Sequence, residues 1–206
     1  VATIFSNLTR GQTSEIPDPP LARFLFSDRR MAPFWLVVRL YVGWQWFTAG
    51  WGKLNGSEAG WVGGKAGTGM TGFVAGALKQ TTGAHVNVQP YYAWFLQHAV
   101  QPYPAIWAYA ITFGEILVGL GLIFGLFTGI AAFFGGLLNA NYLLAGAIST
   151  NPALFILATG LVLAWKVAGL IGLDALALPL LGVPGAPGRL LHRPIAAPPA
   201  AQATTA

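Results

Sequence analysis

The chain has no cysteine. That excludes disulfides, thiolate nucleophiles, zinc–thiolate sites, iron–sulfur clusters and covalently attached c-type haem. Charge is nearly as scarce. Asp, Glu, Lys and Arg make up 8 % of the 206 residues, against about 25 % in an ordinary soluble domain. Between positions 103 and 188 the only charged side chains are Glu115, Lys166 and Asp174. The glycine clusters match neither G-x-G-x-x-G nor a P-loop, and there is no nucleophile elbow or metalloprotease motif. No metal site is therefore expected. The first 26 residues also lack the basic n-region and apolar h-region of a signal peptide.

What is present is apolar: 55 % of the residues. So long a stretch with so little charge is soluble in lipid, not in water, and the bilayer is the first expected partner. The formal charge of +5 is unevenly spread. Arg10, Arg23, Arg29 and Arg30 precede the first apolar run, and Arg189 and Arg193 follow the last. Under the positive-inside rule this puts both termini in the cytoplasm. No aromatic-interleaved basic patch points to nucleic acid.

The fold expected is all-α, an integral membrane four-helix bundle. Its spans cover residues 31–52, 104–126, 129–148 and 152–173. Each has about 20 residues, enough at 1.5 Å per residue to cross a ~30 Å hydrocarbon layer. The turn at 125–129 is short enough to force a tight helical hairpin. At 149–152, Thr150 or Asn151 is expected to cap the fourth helix, with Pro152 opening it. Residues 53–103 form a Gly-rich external loop. Within it 70–79 is expected to be a short helix, and 90–100 (PYYAWFLQHAV) an aromatic amphipathic segment that caps the bundle. Residues 1–30 read as a cytoplasmic tail poorly structured alone. Residues 174–183 are too short to span and read as interfacial or re-entrant. The Pro/Ala-rich tail 184–206 reads as disordered or partner-bound.

Polar residues inside the spans are costly and face the bundle interior. On the first helix Arg39, Gly43, Trp46, Gly50 and Lys53 recur at a 4-3-4-3 spacing, one helical face. The second helix sets Glu115 and Gly119 four apart. The third carries Gly135, Asn139, Tyr142 and Gly146 on one stripe, and the fourth Thr159 and Lys166. Small residues in these stripes allow close helix approach. Depth from the rise per residue puts Arg39 roughly 10 Å from the cytoplasmic side and Glu115 roughly 15 Å from the outside. Arg39 with Glu115 is then the expected ion pair, joined by Asn139 and Lys166 in the inner half. A purely structural role for this centre is the alternative, with Lys166 snorkelling to the headgroups. Lys53 lies at the outer end of its helix near Trp51 and Trp61, with His85 and His98 in the same loop. Neither histidine has the spacing or carboxylate partner of a metal ligand.

Three stretches resemble the DoxX/DoxD family of small four-helix membrane proteins. They are residues 39–54 (RLYVGWQWFTAGWGKL), 114–121 (GEILVGLG) and 138–155 (LNANYLLAGAISTNPALF), the last followed by AWKVAG at 164–169 and GLD at 172–174. The similarity covers residues 33–182. It implies a bacterial or archaeal cytoplasmic-membrane protein, and a possible subunit role in thiosulfate:quinone oxidoreduction beside a DoxA-like partner. Arg39, Lys53, Glu115, Asn139, Asn141 and Lys166 match its patterned stretches. On that resemblance the candidate catalytic residues are Arg39, Glu115 and Lys53. The candidate quinone-binding residues are Asn139, Tyr142, Lys166 and Trp46. Lys53, with Trp51, Trp61 and His98, would offer a cationic pocket for the thiosulfate dianion. No residue here carries two electrons alone, so direct substrate–quinone chemistry, a partner or a noncovalent cofactor is required. The other reading is a non-catalytic accessory subunit of a larger respiratory or photosynthetic complex.

Overall fold

The computed structural model describes residues 18–183 apart from 57, 84 and 85, and its regular elements are all helical. The α-helices are α1 (Pro20–Ser27), α2 (Ala32–Leu54), α3 (Thr68–Leu78), α4 (Pro90–Phe95), α5 (Pro104–Phe124), α6 (Thr128–Leu144), α7 (Asn151–Leu163), α8 (Trp165–Ala168) and α9 (Asp174–Leu181). Proline opens α1, α2, α4, α5 and α7 in the first turn, where its missing N–H costs nothing. Only α5 among the described residues is both long and apolar enough to pass as a membrane span, with α6 and α7 shorter apolar helices of 17 and 13 residues.

The frame is the antiparallel pair α2–α5, which share the most extensive helix–helix interface. Glycines set its closeness. A Cβ on Gly119 would lie 2.5 Å from the Phe47 nitrogen, and one on Gly50 2.8 Å from the Ile116 nitrogen. Helix α6 returns beside α5, and α7 packs on α6. The core between them gathers Trp35, Val42, Trp46, Val118, Leu122 and Leu161. A second cluster lies under residues 61–100. There Trp61, Met70, Val74, Val88, Tyr92 and Leu96 pack as a cap over Ala108 and Ala145. The expected cap is thus present, with α3 and α4 as its helices, and α4 running on into a π-turn over Leu96–Val100.

Three expectations need correction. Residues 20–27 are helical, not an unstructured tail: Leu25 and Phe26 lean on the core, and Trp35 Nε1 donates to the Leu25 carbonyl at 2.7 Å. The fourth span is not continuous to 173. It ends at Leu163, and the chain turns at Ala164, whose carbonyl accepts from both Val167 and Ala168 at 2.8 Å. Neither Thr150 nor Asn151 caps α7. Asn151 Nδ2 donates back to the Ala147 carbonyl at 2.7 Å instead. The expectations for residues 1–17 and 184–206 lie outside the described residues.

Candidate functional site: a buried lysine–glutamate–tyrosine cluster

The polar stripe of α2 is buried along its whole length. Arg39 is 1 % exposed, Trp46 3 % and Lys53 7 %, with Gly43 and Gly50 buried between them. The α6 stripe meets it: Gly135 faces the Trp46 indole, and the Tyr142 ring stacks on Trp46 at 6.3 Å. The two stripes do not close into one centre. They make two clusters, one at each end of α2.

The first cluster lies where α2 and α6 end and α7 begins. Lys53 Nζ donates to Glu115 Oε1 at 3.2 Å and lies 2.9 Å from Oε2. The Tyr142 hydroxyl donates to Oε1 at 2.6 Å. Glu115 is 1 % exposed, so its charge is matched by these two donors rather than by water. Lys53 also sits 4.9 Å from the centre of the Trp61 ring and 3.7 Å from Glu58 Oε2. The geometry follows from the α2–α5 register. Gly50 lies against Thr112 and Ile116, so Lys53 emerges a turn beyond Glu115, a distance its four-carbon stem covers. The cluster forms one wall of a cavity of about 310 Å³, whose other walls include Trp46, Trp61, Phe73, Thr150 and Asn151.

The second cluster ties the α5–α6 hairpin to the segment before α9. Arg39 Nη2 donates to the Ile171 carbonyl at 2.7 Å, and Asp174 acts on the guanidinium electrostatically. Asp174 Oδ1 accepts from the Phe127 N–H at 2.6 Å and Oδ2 from the Thr128 N–H at 2.9 Å. Its own N–H donates to the Gly125 carbonyl at 2.7 Å. Asp174 therefore caps α6 from 46 residues away, satisfying N–H groups that a helix start leaves open. Gly125 turns here at φ 65°, and a Cβ there would strike the Arg39 guanidinium.

The expected Arg39–Glu115 pair is therefore replaced. Glu115 takes Lys53, and Arg39 takes the Ile171 carbonyl, with Asp174 acting on it only through its charge. Asn139 is fully buried between the clusters, and among the described residues neither its Oδ1 nor its Nδ2 has a hydrogen-bond partner; Trp46 Nε1, Arg39 Nε and Arg39 Nη1 also have none there. Lys166 is exposed and rests over Trp165 at 5.7 Å, apart from both clusters, and Thr159 is exposed too. Trp61 joins Lys53 as expected. Trp51 is 49 % exposed and stacks on Phe47, and His98 is exposed with its ring on Trp94. His85 lies outside the described residues. Asp174 and Tyr142's hydrogen bond to Glu115 were not foreseen. For Asp174 the signal was its place as the only acidic residue after Glu115 in the apolar half.

The fold and the cluster define a class: a small helical bundle with an apolar outer face and ion-paired charges sealed inside. The DoxX family model matches residues 34–144, more than half of the 206-residue chain. The chain belongs to the DoxX family and is a membrane protein of that family. No curated protein and no solved structure matches it.

Proposed function

We propose that this chain is the membrane subunit of a quinone-linked oxidoreductase, and that the Lys53–Glu115–Tyr142 cavity receives the quinone head. The carrying observation is one buried carboxylate held by both an ammonium and a phenol at the wall of a cavity with Trp46, Trp61 and Phe73 around it. Such a wall gives donors to a ring oxygen and groups through which a proton moves. Aromatic faces suit a flat ring. When bound, the quinone supplies the electron-accepting chemistry. Lys53 and Tyr142 orient its oxygens, and Glu115 holds or releases the proton.

The same geometry argues that thiosulfate binds elsewhere. One lysine here faces two glutamates, Glu115 and Glu58, which leaves no net positive charge for a dianion. In thiosulfate:quinone oxidoreduction two thiosulfate dianions become one tetrathionate dianion and two electrons. The quinone takes those electrons with two protons. The thiosulfate step then belongs to a DoxA-like partner. Around the site, α2, α5, α6 and α7 with α8 form the proposed four-helix membrane bundle, multi-pass in a bacterial or archaeal cytoplasmic membrane with both ends inside. Support comes from the outward apolar belt of Leu117, Phe124, Phe133, Phe134, Ile156 and Leu163. Arg29, Arg30 and Lys166 add positive charge toward the termini.

The test is thiosulfate-dependent quinone reduction in membranes carrying the chain and its native neighbours. Glu115→Gln is expected to lower it at least tenfold with insertion intact. Unchanged turnover in Glu115→Gln overturns the assignment. The accessory-subunit reading has one observation of its own, an apolar groove of about 570 Å³ between α5 and α6. It predicts co-purification with a large assembly and no effect of Glu115→Gln on that assembly's turnover.

A further inference from the structure

Two cavities share one wall. Phe73 and Tyr142 line both the Lys53–Glu115 cavity and a second one of about 280 Å³. The two rings meet edge to face at 5.8 Å. Their other walls have opposite chemistry. The first cavity holds Lys53, Glu115, Glu58 and Asn151. The second is walled by Met70, Phe95, Leu96, Val100 and Ile111, beneath the cap.

The few polar groups of the second cavity are already engaged. The Tyr92 hydroxyl donates to the Asn141 carbonyl and Oδ1, each at 3.0 Å, and Asn141 Nδ2 donates to the Leu137 carbonyl at 2.8 Å. Trp107 Nε1 donates to the Ala99 carbonyl at 2.9 Å. A polar ligand would find few free donors on these largely apolar walls, and burying its polar groups unpaired is costly. An apolar chain loses nothing. Leu137, on its wall, is 48 % exposed on the outer face of α6.

We infer that the two cavities form one site for an amphiphile: a flat, hydrogen-bonding ring head beside Lys53, Glu115 and Tyr142, and a single apolar tail running past Phe73 and Tyr142 to leave by Leu137. The inference rests on the proposed reading of the first cavity as the head site. It adds a requirement for a tail and a route for it. Phe73 and Tyr142 are then the positions that decide how a tail passes from one compartment to the other.

The experiment uses the full chain in nanodiscs with two probes, a head-only benzoquinone and the same ring with a short isoprenyl tail. Affinities are corrected for each probe's partition into protein-free discs. The tailed probe is expected to bind at least tenfold more tightly than the head-only one, and Leu137→Trp to collapse that ratio at least tenfold. An unchanged ratio, with head-only binding still lost in Glu115→Gln, overturns the two-compartment site and leaves the head site standing. Absence of saturable binding by both probes overturns the head site itself. A tail-end diazirine on the tailed probe reads the route in the unaltered protein, whatever the variant does. Labelling at Tyr92, Phe95, Leu96, Val100, Trp107, Ile111 or Asn141, which line the second cavity and not the α5–α6 groove, supports the route, and labelling confined to the groove overturns it. Equal displacement of the tailed quinone by a lysophospholipid overturns the choice of a ring head.

Discussion

Removing Lys53 leaves Glu115 as a buried carboxylate with Tyr142 as its remaining donor among the described residues. The side chains of the pair are 8 % and 1 % exposed, and Nζ lies 2.9 Å from Oε2. Breaking such a pair from one side costs about 3–5 kcal/mol, whereas replacing both partners with apolar groups of similar volume is close to neutral. Lys53→Met is therefore expected to destabilise by about 3 kcal/mol, at the lower end because Glu115 relieves part of the penalty by taking up a proton. Glu115→Leu is expected to do much the same, since it strands the ammonium. The double variant should be far better than the sum of the two, with a coupling near the top of the roughly 0.5–3 kcal/mol range for contacting residues. Glu58→Gln is the control: Glu58 is half-exposed and 3.7 Å from the ammonium, so its loss should cost under about 1 kcal/mol. The assay is reversible SDS unfolding in mixed micelles, followed by tryptophan emission. Additive single variants, with no coupling, would refute the claim that Lys53 and Glu115 act as a pair.

Other outcomes follow from the same geometry. Gly119→Ala pushes a methyl onto the Phe47 backbone and should cost about 1–3 kcal/mol as overpacking, seen in the same titration. Asp174→Ala removes both acceptors at the start of α6 and should cost about 0.5–2 kcal/mol; faster amide exchange at Phe127 and Thr128 locates the loss. Burial pushes the Tyr92 phenol up to about 12. In the unfolded chain a tyrosine ionises near 10, so above that pH the folded state holds the extra proton. Tyr92's contribution to stability is then complete below pH 10 and falls as pH rises from about 10 to 12. A difference titration at 295 nm against Tyr92→Phe should find its phenolate appearing only toward the top of that window.

Much of this was legible because a buried polar stripe on an apolar helix is a strong signal. Arg39, Gly43, Trp46, Gly50 and Lys53 recur at the helical period, and all five are buried. The glycines in the stripe correctly implied close approach of α2 and α5. Partner choice was not legible. Rise per residue ranks residues by depth, but it ignores the length of a lysine stem, and Lys53 reaches inward to Glu115 from beyond it. Arg39 likewise donates to the Ile171 carbonyl, expected inside the fourth span, and feels the charge of Asp174, expected on an interfacial or re-entrant segment. Nothing between 164 and 168 announces the break after α7, since no proline or glycine occurs there. The helix in residues 20–27 was missed because its reason is tertiary: Leu25 and Phe26 pack beside Trp35.

The proposed occupant of the Lys53–Glu115–Tyr142 cavity is a quinone head. Its most direct measurement is tryptophan quenching during quinone titration of the chain in nanodiscs, compared between the unaltered protein and Glu115→Gln. Trp46 and Trp61 line the cavity, so a bound ring should quench them. Saturable one-to-one quenching is expected, at least tenfold weaker in Glu115→Gln. Quenching that never saturates, or that is the same in both proteins, contradicts the assignment.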